Sequence, residues 1–200
     1  DNVASMVVFS SGMPEKSSYR KFKMRLKGNN DFAHMNEAIS RRLSQKNVKS
    51  WGLPNLFLID GGKGQLQAAI KARDSSGYEK IPMVGLAKRE EEIVVSIDGS
   101  NVELNNIIAT KSQFIITESD DFTLIRMPLS NDIVKLLQRI RDESHRFAVT
   151  YHSTLKSKRQ TTSWLDDVPG IGLVTKKKLI KTFGSSRGVI NARKDELQKI

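Results

Sequence analysis

Apolar residues recur along this chain with two periods, near two and near 3.6, and the switches between them mark out elements. Residues 3–9 read as a Val-rich strand, and 10–14 as a turn. Residues 18–26 set Tyr19, Phe22, Met24 and Leu26 against Arg20, Lys21, Lys23 and Arg25, so the two strands predict a hairpin with one basic face. Asp31 is placed to cap a helix whose apolar positions are Phe32, Met35, Ile39 and Leu43, and 46–54 reads as a loop. Four apolar residues, Leu56 to Ile59, then run into Asp60 and the turn Gly61-Gly62-Lys63-Gly64, with a helix expected from about Gln65 to Arg73.

Residues 81–87 predict a second buried strand, begun at Pro82 where a missing amide does least harm, and 93–97 a third. Residues 98–129 carry scattered apolar positions, among them Ile107, Ile108, Phe114 and Leu124, and suggest short strands in an insertion. Ser130 is placed to cap a long amphipathic helix through Ile133, Val134, Leu137, Ile140, Ser144 and Ala148. Residues 156–163 are polar and basic and read as a linker. The order of hairpin, helix, strand, helix, strand and helix predicts an α/β domain with mixed strand pairing over 1–155. A small all-α domain is expected over 164–200.

Composition narrows the function classes. A chain of 200 residues that is 38% hydrophobic and 28% charged reads as soluble and globular, with no apolar run long enough for a membrane. The absence of Cys excludes disulfides and thiolate metal sites, which suits a reducing cytoplasm. The net charge of +11 is uneven: residues 151–200 hold 11 basic and 4 acidic residues, or +7, against +4 for the rest. A basic tail on a nearly balanced body suggests a polyanionic partner, nucleic acid first.

Asp60 is the most informative residue. A charge at the end of a buried strand is costly unless it meets a cation, a metal or a donor. A turn or capping role is the plain alternative. A phosphate loop fails on spacing, since Lys63 is followed by Gly64 rather than Ser or Thr, and the dinucleotide fingerprint Gly-x-Gly-x-x-Gly is not met. His145, in the long helix, is the candidate second ligand or proton carrier, with partial burial as its ordinary reading. In the tail, Gly170-Ile171-Gly172 lets the backbone turn sharply ahead of a helix whose amides can face a phosphate, and Lys176, Lys177 and Lys178 add attraction. An interhelical turn is the alternative there.

Three segments taken together resemble one family: 58–66 around Ile59-Asp60-Gly61-Gly62, 84–91 around Gly85-Leu86-Ala87-Lys88, and 141–148, Arg-Asp-Glu-Ser-His-Arg-Phe-Ala. They look like the C-terminal half of the UvrC family, the incising component of the bacterial excinuclease ABC. Val168-Pro169-Gly170-Ile171-Gly172 looks like that family's first helix-hairpin-helix. The resemblance implies an RNase-H-like mixed sheet flanked by helices, followed by a helix-hairpin-helix. It also implies a divalent-metal endonuclease, with Mg²⁺ or Mn²⁺, that cuts damaged double-stranded DNA 5′ of the lesion in nucleotide excision repair. By the same resemblance Asp60 and His145 are catalytic and metal-binding residues, and Asp31 matches a further carboxylate. A first-strand Asp is expected upstream of Val3, so that the chain alone cuts weakly or not at all. The UvrB component of the excinuclease is the expected partner, through a region outside this sequence. Lys63, Lys88 and Arg141 are expected to orient phosphate, and Gly170 and Gly172 to hold the DNA backbone. A non-catalytic DNA-binding module is the alternative function, and a scaffold for the other excinuclease components a third.

Overall fold

The computed structural model describes residues 3–26, 28, 30–88, 91–104, 113–161, 165 and 168–198, with the backbone alone over 151–161. The chain divides into two units, Asp1–Ala148 and Val149–Ile200. The first unit opens with β1 (Val3–Met6), β2 (Phe9–Ser10), β3 (Met13–Pro14) and β4 (Arg20–Lys23). Here β1 pairs antiparallel with β4, while β2 and β3 form a small hairpin tip. Then come α1 (Asp31–Arg42), α2 (Gln45–Trp51), β5 (Phe57–Asp60), α3 (Lys63–Ser75), β6 (Met83–Ala87), β7 (Glu92–Ser96), β8 (Ile115–Glu118), β9 (Phe122–Arg126) and α4 (Asp132–Thr161). Five strands make one mixed sheet in the order β5-β6-β7-β9-β8, parallel between β5 and β6 and antiparallel elsewhere.

Alternation along β5 sets up the site. Phe57 and Ile59 face one core, with Ile39 of α1, Leu43 just past its end, and Leu66, Ala69 and Ile70 of α3. Leu58 belongs to the other core, with Val84, Leu86, Ile93 and Ile125 of the sheet and Val134 and Leu137 of α4. Helices therefore cover both faces, and Asp60, two residues after Leu58, emerges on the α4 side. Two glycines permit the close approaches here. A Cβ on Gly85 would come within 2.7 Å of the Gly61 carbonyl, and one on Gly64 within 2.6 Å of the Phe32 ring.

The hairpin strand β4 uses both of its sides, which corrects the expectation of one basic face. Phe22 packs with Met24, Ala38 and Trp51, and Arg20 stacks 4.8 Å from the Trp51 ring. On the other side Tyr19 meets Phe147 of α4 edge-on at 5.1 Å, and Lys21 lies 4.3 Å over the same ring.

Several boundaries differ from the expectation. Asn30, not Asp31, caps α1, its side chain accepting from the Ala33 amide at 3.0 Å; Asp31 is the first residue of the helix. Asn131 rather than Ser130 caps α4, accepting from the Ile133 amide at 2.9 Å. In both cases the better-placed Asx side chain reaches an N-terminal amide that has no intrahelical partner. Most of 46–54, expected as a loop, belongs to α2, whose Val48 and Trp51 pack against the cores. Residues 156–161, expected as linker, continue α4. Of the 98–129 insertion, β8 and β9 join the main sheet, and Ile107 and Ile108 lie outside the described residues. So do 162–164, the end of the expected linker and Trp164.

The second unit holds α5 (Leu173–Phe183), α6 (Ser186–Asn191) and α7 (Lys194–Leu197). Leu165, Leu179 and Val189 form its core, with Ile171, Ile180, Phe183 and Leu197 packed around them.

Candidate active site

Asp60 and His145 meet. Nε2 of His145 lies 2.6 Å from Oδ2 of Asp60, 85 residues away along the chain. An ionised carboxylate only accepts, so in this contact Nε2–H is the donor. The pair is reachable from solvent, the imidazole 47% and the carboxylate 28% exposed. The other oxygen behaves differently: Oδ1 of Asp60 is buried and, among the described residues, accepts no hydrogen bond. An orphaned anionic oxygen costs more than the roughly 1–3 kcal/mol of a neutral one. It fits a cation. Among the described residues no third His, Cys, Asp or Glu joins the pair to make a three-ligand cluster. One or two carboxylates, with water and substrate phosphate completing the shell, is how Mg²⁺ is usually held, and Asp60 supplies one with a free oxygen.

The helix carrying His145 is fastened at several points. Arg141 donates from Nη1 to both carboxylate oxygens of Glu91 at 2.5 and 2.6 Å, and from Nη2 to Asp142 at 3.3 Å. The hydrogen bond to Glu91 raises the guanidinium pKa further above its ordinary value. Glu143 accepts from the Tyr19 hydroxyl at 2.9 Å and from Arg146 at 2.6 and 2.7 Å. The Arg146 hydrogen bonds, with help from Tyr19, bring the Glu143 carboxyl down to about 2. Burial, followed by its bond to Glu143, pushes the Tyr19 phenol up to about 12. The Ser5 hydroxyl also reaches the Ser144 carbonyl, at 3.4 Å.

The remaining sequence candidates fall elsewhere. Asp31 is exposed at the head of α1 and is not brought into contact with Asp60 or His145. Lys63 opens α3, exposed, with its ammonium 5.5 Å from the Phe122 ring, and Lys88 is exposed just past β6. In the second unit Gly170 takes a left-handed φ of +88°, and Gly172 is the N-cap of α5 with open space at its Cα. Lys177 and Lys178 are exposed, whereas Lys176, expected with them to attract phosphate, is 8% exposed and has a partner. Beside the glycine turn, Leu173 and Val174 stand 79% and 73% exposed. Sequence reasoning passed over them, and over Glu91, Tyr19 and Glu143. Two adjacent apolar residues straight after a Gly-x-Gly turn were the available signal for the first pair. Tyr19, Glu91 and Glu143 stand in the hairpin and in the 84–91 and 141–148 segments, but nothing local showed which residues they meet.

Residues 1–149 match the family described as the UvrC RNase H endonuclease domain. The chain belongs to this family. Its relatives among curated proteins carry the name UvrABC system protein C. The chain is 41% identical over its whole length to that of Chlorobium chlorochromatii, and 41% identical over 99% of its length to that of Methanosphaera stadtmanae. The match to the Prosthecochloris aestuarii protein is 41% over 98%. The chain spans 28%, 31% and 28% of these three relatives, under a third of their length. The mixed sheet flanked by helices is thus an RNase H-like fold, as the resemblance implied. Among the described residues no helix is long and apolar enough to cross a membrane.

Proposed function

We propose that this chain is the DNA-cutting part of a nucleotide excision repair nuclease. It hydrolyses one phosphodiester 5′ of a lesion in duplex DNA, with Mg²⁺ or Mn²⁺ held at Asp60 and His145. One observation carries the reading: the strand-end carboxylate touches an imidazole through one oxygen and has a buried, unpartnered second oxygen. A bound divalent cation supplies charge neutralisation at the phosphate and a more acidic water. The chain's own residues do the rest. Asp60 Oδ1 offers a ligand oxygen without breaking an existing bond. His145, fixed through Nε2 to Oδ2, is placed to hold or move a proton at the reacting centre. Lys63 and Lys88, exposed at the start of α3 and past β6, attract the phosphate backbone without reading sequence.

The second unit contributes grip. Gly170 and Gly172 open the N-terminus of α5 to a phosphate, and Lys177 adds charge beside it. The partners in this reading are damaged duplex DNA and the UvrB component of the same repair system, in the cytoplasm. The test uses Asp60→Asn in a full-length protein of this family containing this chain, assembled with the other components of the repair system on an end-labelled damaged duplex. The 5′ cut should disappear while DNA binding persists. An unchanged 5′ cut would sink the enzyme reading and favour a non-catalytic DNA-binding module.

A further inference from the structure

The contact between His145 and Asp60 requires α4 to sit at one rotation about its axis. At 3.6 residues per turn, Arg141 and His145 lie about 40° apart around the helix and about 6 Å apart along it. The same stripe begins with Val134 and Leu137, which are buried against the sheet. Where the sheet ends, the stripe turns polar, first with Arg141 and then with His145. A purely apolar stripe tolerates small slips and rotations, because apolar contact is not directional.

Arg141 removes that freedom. Its ion pair with Glu91 is short, 2.5 Å, and mostly screened from water, the two side chains being 15% and 17% exposed. Glu91 lies between β6 and β7, and β6 is the strand hydrogen-bonded beside β5, which ends at Asp60. Glu91 also holds a φ of +54°, a left-handed backbone that a residue with a side chain rarely adopts. That conformation aims a carboxylate at one point on α4. On the far side of the helix, about 200° around from Arg141, Glu143 takes the Tyr19 hydroxyl of the hairpin. The helix is held from two opposed directions, within about one turn of His145.

We infer that Arg141 and Glu91 are positioning residues: their ion pair sets the rotation of α4 that brings His145 onto Asp60. This replaces the phosphate-orienting role expected of Arg141, whose guanidinium is engaged by Glu91 and Asp142. The importance of the clamp for cleavage rests on the proposed function above, but the clamp itself does not.

The experiment follows the Nε2 proton of His145 by nitrogen-resolved NMR of the whole 200-residue chain. It is done at fixed pH without DNA or metal, with the urea midpoint as a control for folding. Glu91→Gln and Arg141→Gln should each lose the hydrogen-bonded proton signal, and the swapped pair Glu91→Arg with Arg141→Glu should restore it. In a full-length family member, kcat for the 5′ cut should drop about 100-fold in the single variants with KM within about twofold, the pattern of a misplaced group. A His145 signal that survives in both folded single variants overturns the clamp, as does failure of the swap to recover it. A signal lost while cutting continues unchanged supports the clamp and sinks the reading of Asp60 and His145 as the reacting pair.

Discussion

One βα unit of this protein carries two costly charges, and they are treated in opposite ways. Arg73, near the C-terminal end of α3, is 2% exposed. Its guanidinium donates to the Ile81 carbonyl at 2.7 Å, the Gly99 carbonyl at 2.7 Å and Asp74 at 2.8 Å. It ties the end of α3 to the loops before β6 and after β7. Asp60, just ahead of the same helix, accepts from His145 through Oδ2 and leaves Oδ1 without a donor among the described residues. Saturated donors and buried partners are how a charge serves stability; an unsatisfied, half-open carboxylate is how it serves chemistry. The difference marks Arg73 as a structural charge and Asp60 as the candidate for chemistry.

Asp60→Asn should lower 5′ cutting in a full-length family member by about 10³-fold, within the range for a positioned acid–base or metal-binding group. The urea midpoint of this chain should hold or rise, because an unsatisfied anion has been neutralised. A large fall in stability would make Asp60 a structural residue after all. Arg73→Ala should do the reverse, costing about 3 kcal/mol in urea unfolding because the Ile81 and Gly99 carbonyls lose their buried donor. A loss near zero would remove the contrast.

The Glu143 cluster offers a test in pH. Its folded carboxyl titrates at about 2, below the ordinary 4.5, through its bonds from Arg146 and Tyr19. The stabilisation is therefore complete above 4.5 and is lost as pH falls from there towards 2. Tyr19, raised from 10.0 to about 12, contributes stability that is present below 10 and lost as pH rises through 12. Glu143→Gln should flatten the acid limb of a plot of urea midpoint against pH, and an unchanged limb would remove Glu143 from the fastening of α4. The smallest effect is at α1. Asn30→Ala should cost about 1 kcal/mol by loss of the cap, and Asp31→Ala only a few tenths through the helix dipole. Equal losses would return the cap to Asp31.

Much of the fold was legible along the chain. The buried runs into Asp60 and through 83–87, and the long amphipathic helix, stood out because burial on one or both faces imposes a period on the residues themselves. Helix α2 was missed because Gln45 to Trp51 carries only Val48 and Trp51 as packing residues, too few to set a period. The caps were misjudged by one residue at Asn30 and Asn131, where neighbouring polar residues compete for the same amides. At the candidate site, Asp60 and His145 were readable from their motifs. Arg141 was readable only as a cation, and its partner Glu91 not at all.

Local sequence sets which residue types stand at the ends of which elements: an Asp closing a buried strand, a His on the polar end of an apolar stripe, glycines ahead of a basic helix. Local propensity and periodicity act over a few residues, so these are properties that a one-dimensional reading can reach. The tertiary structure alone decided which of them meet. Whether Asp60 points to the α4 side depends on strand parity within a particular sheet. Whether His145 reaches it depends on the rotation of a helix set by Glu91, 50 residues before its partner Arg141, and by Tyr19, 124 residues before Glu143. Contacts across such separations are fixed by packing and by directional ion pairs, which no window along the chain contains.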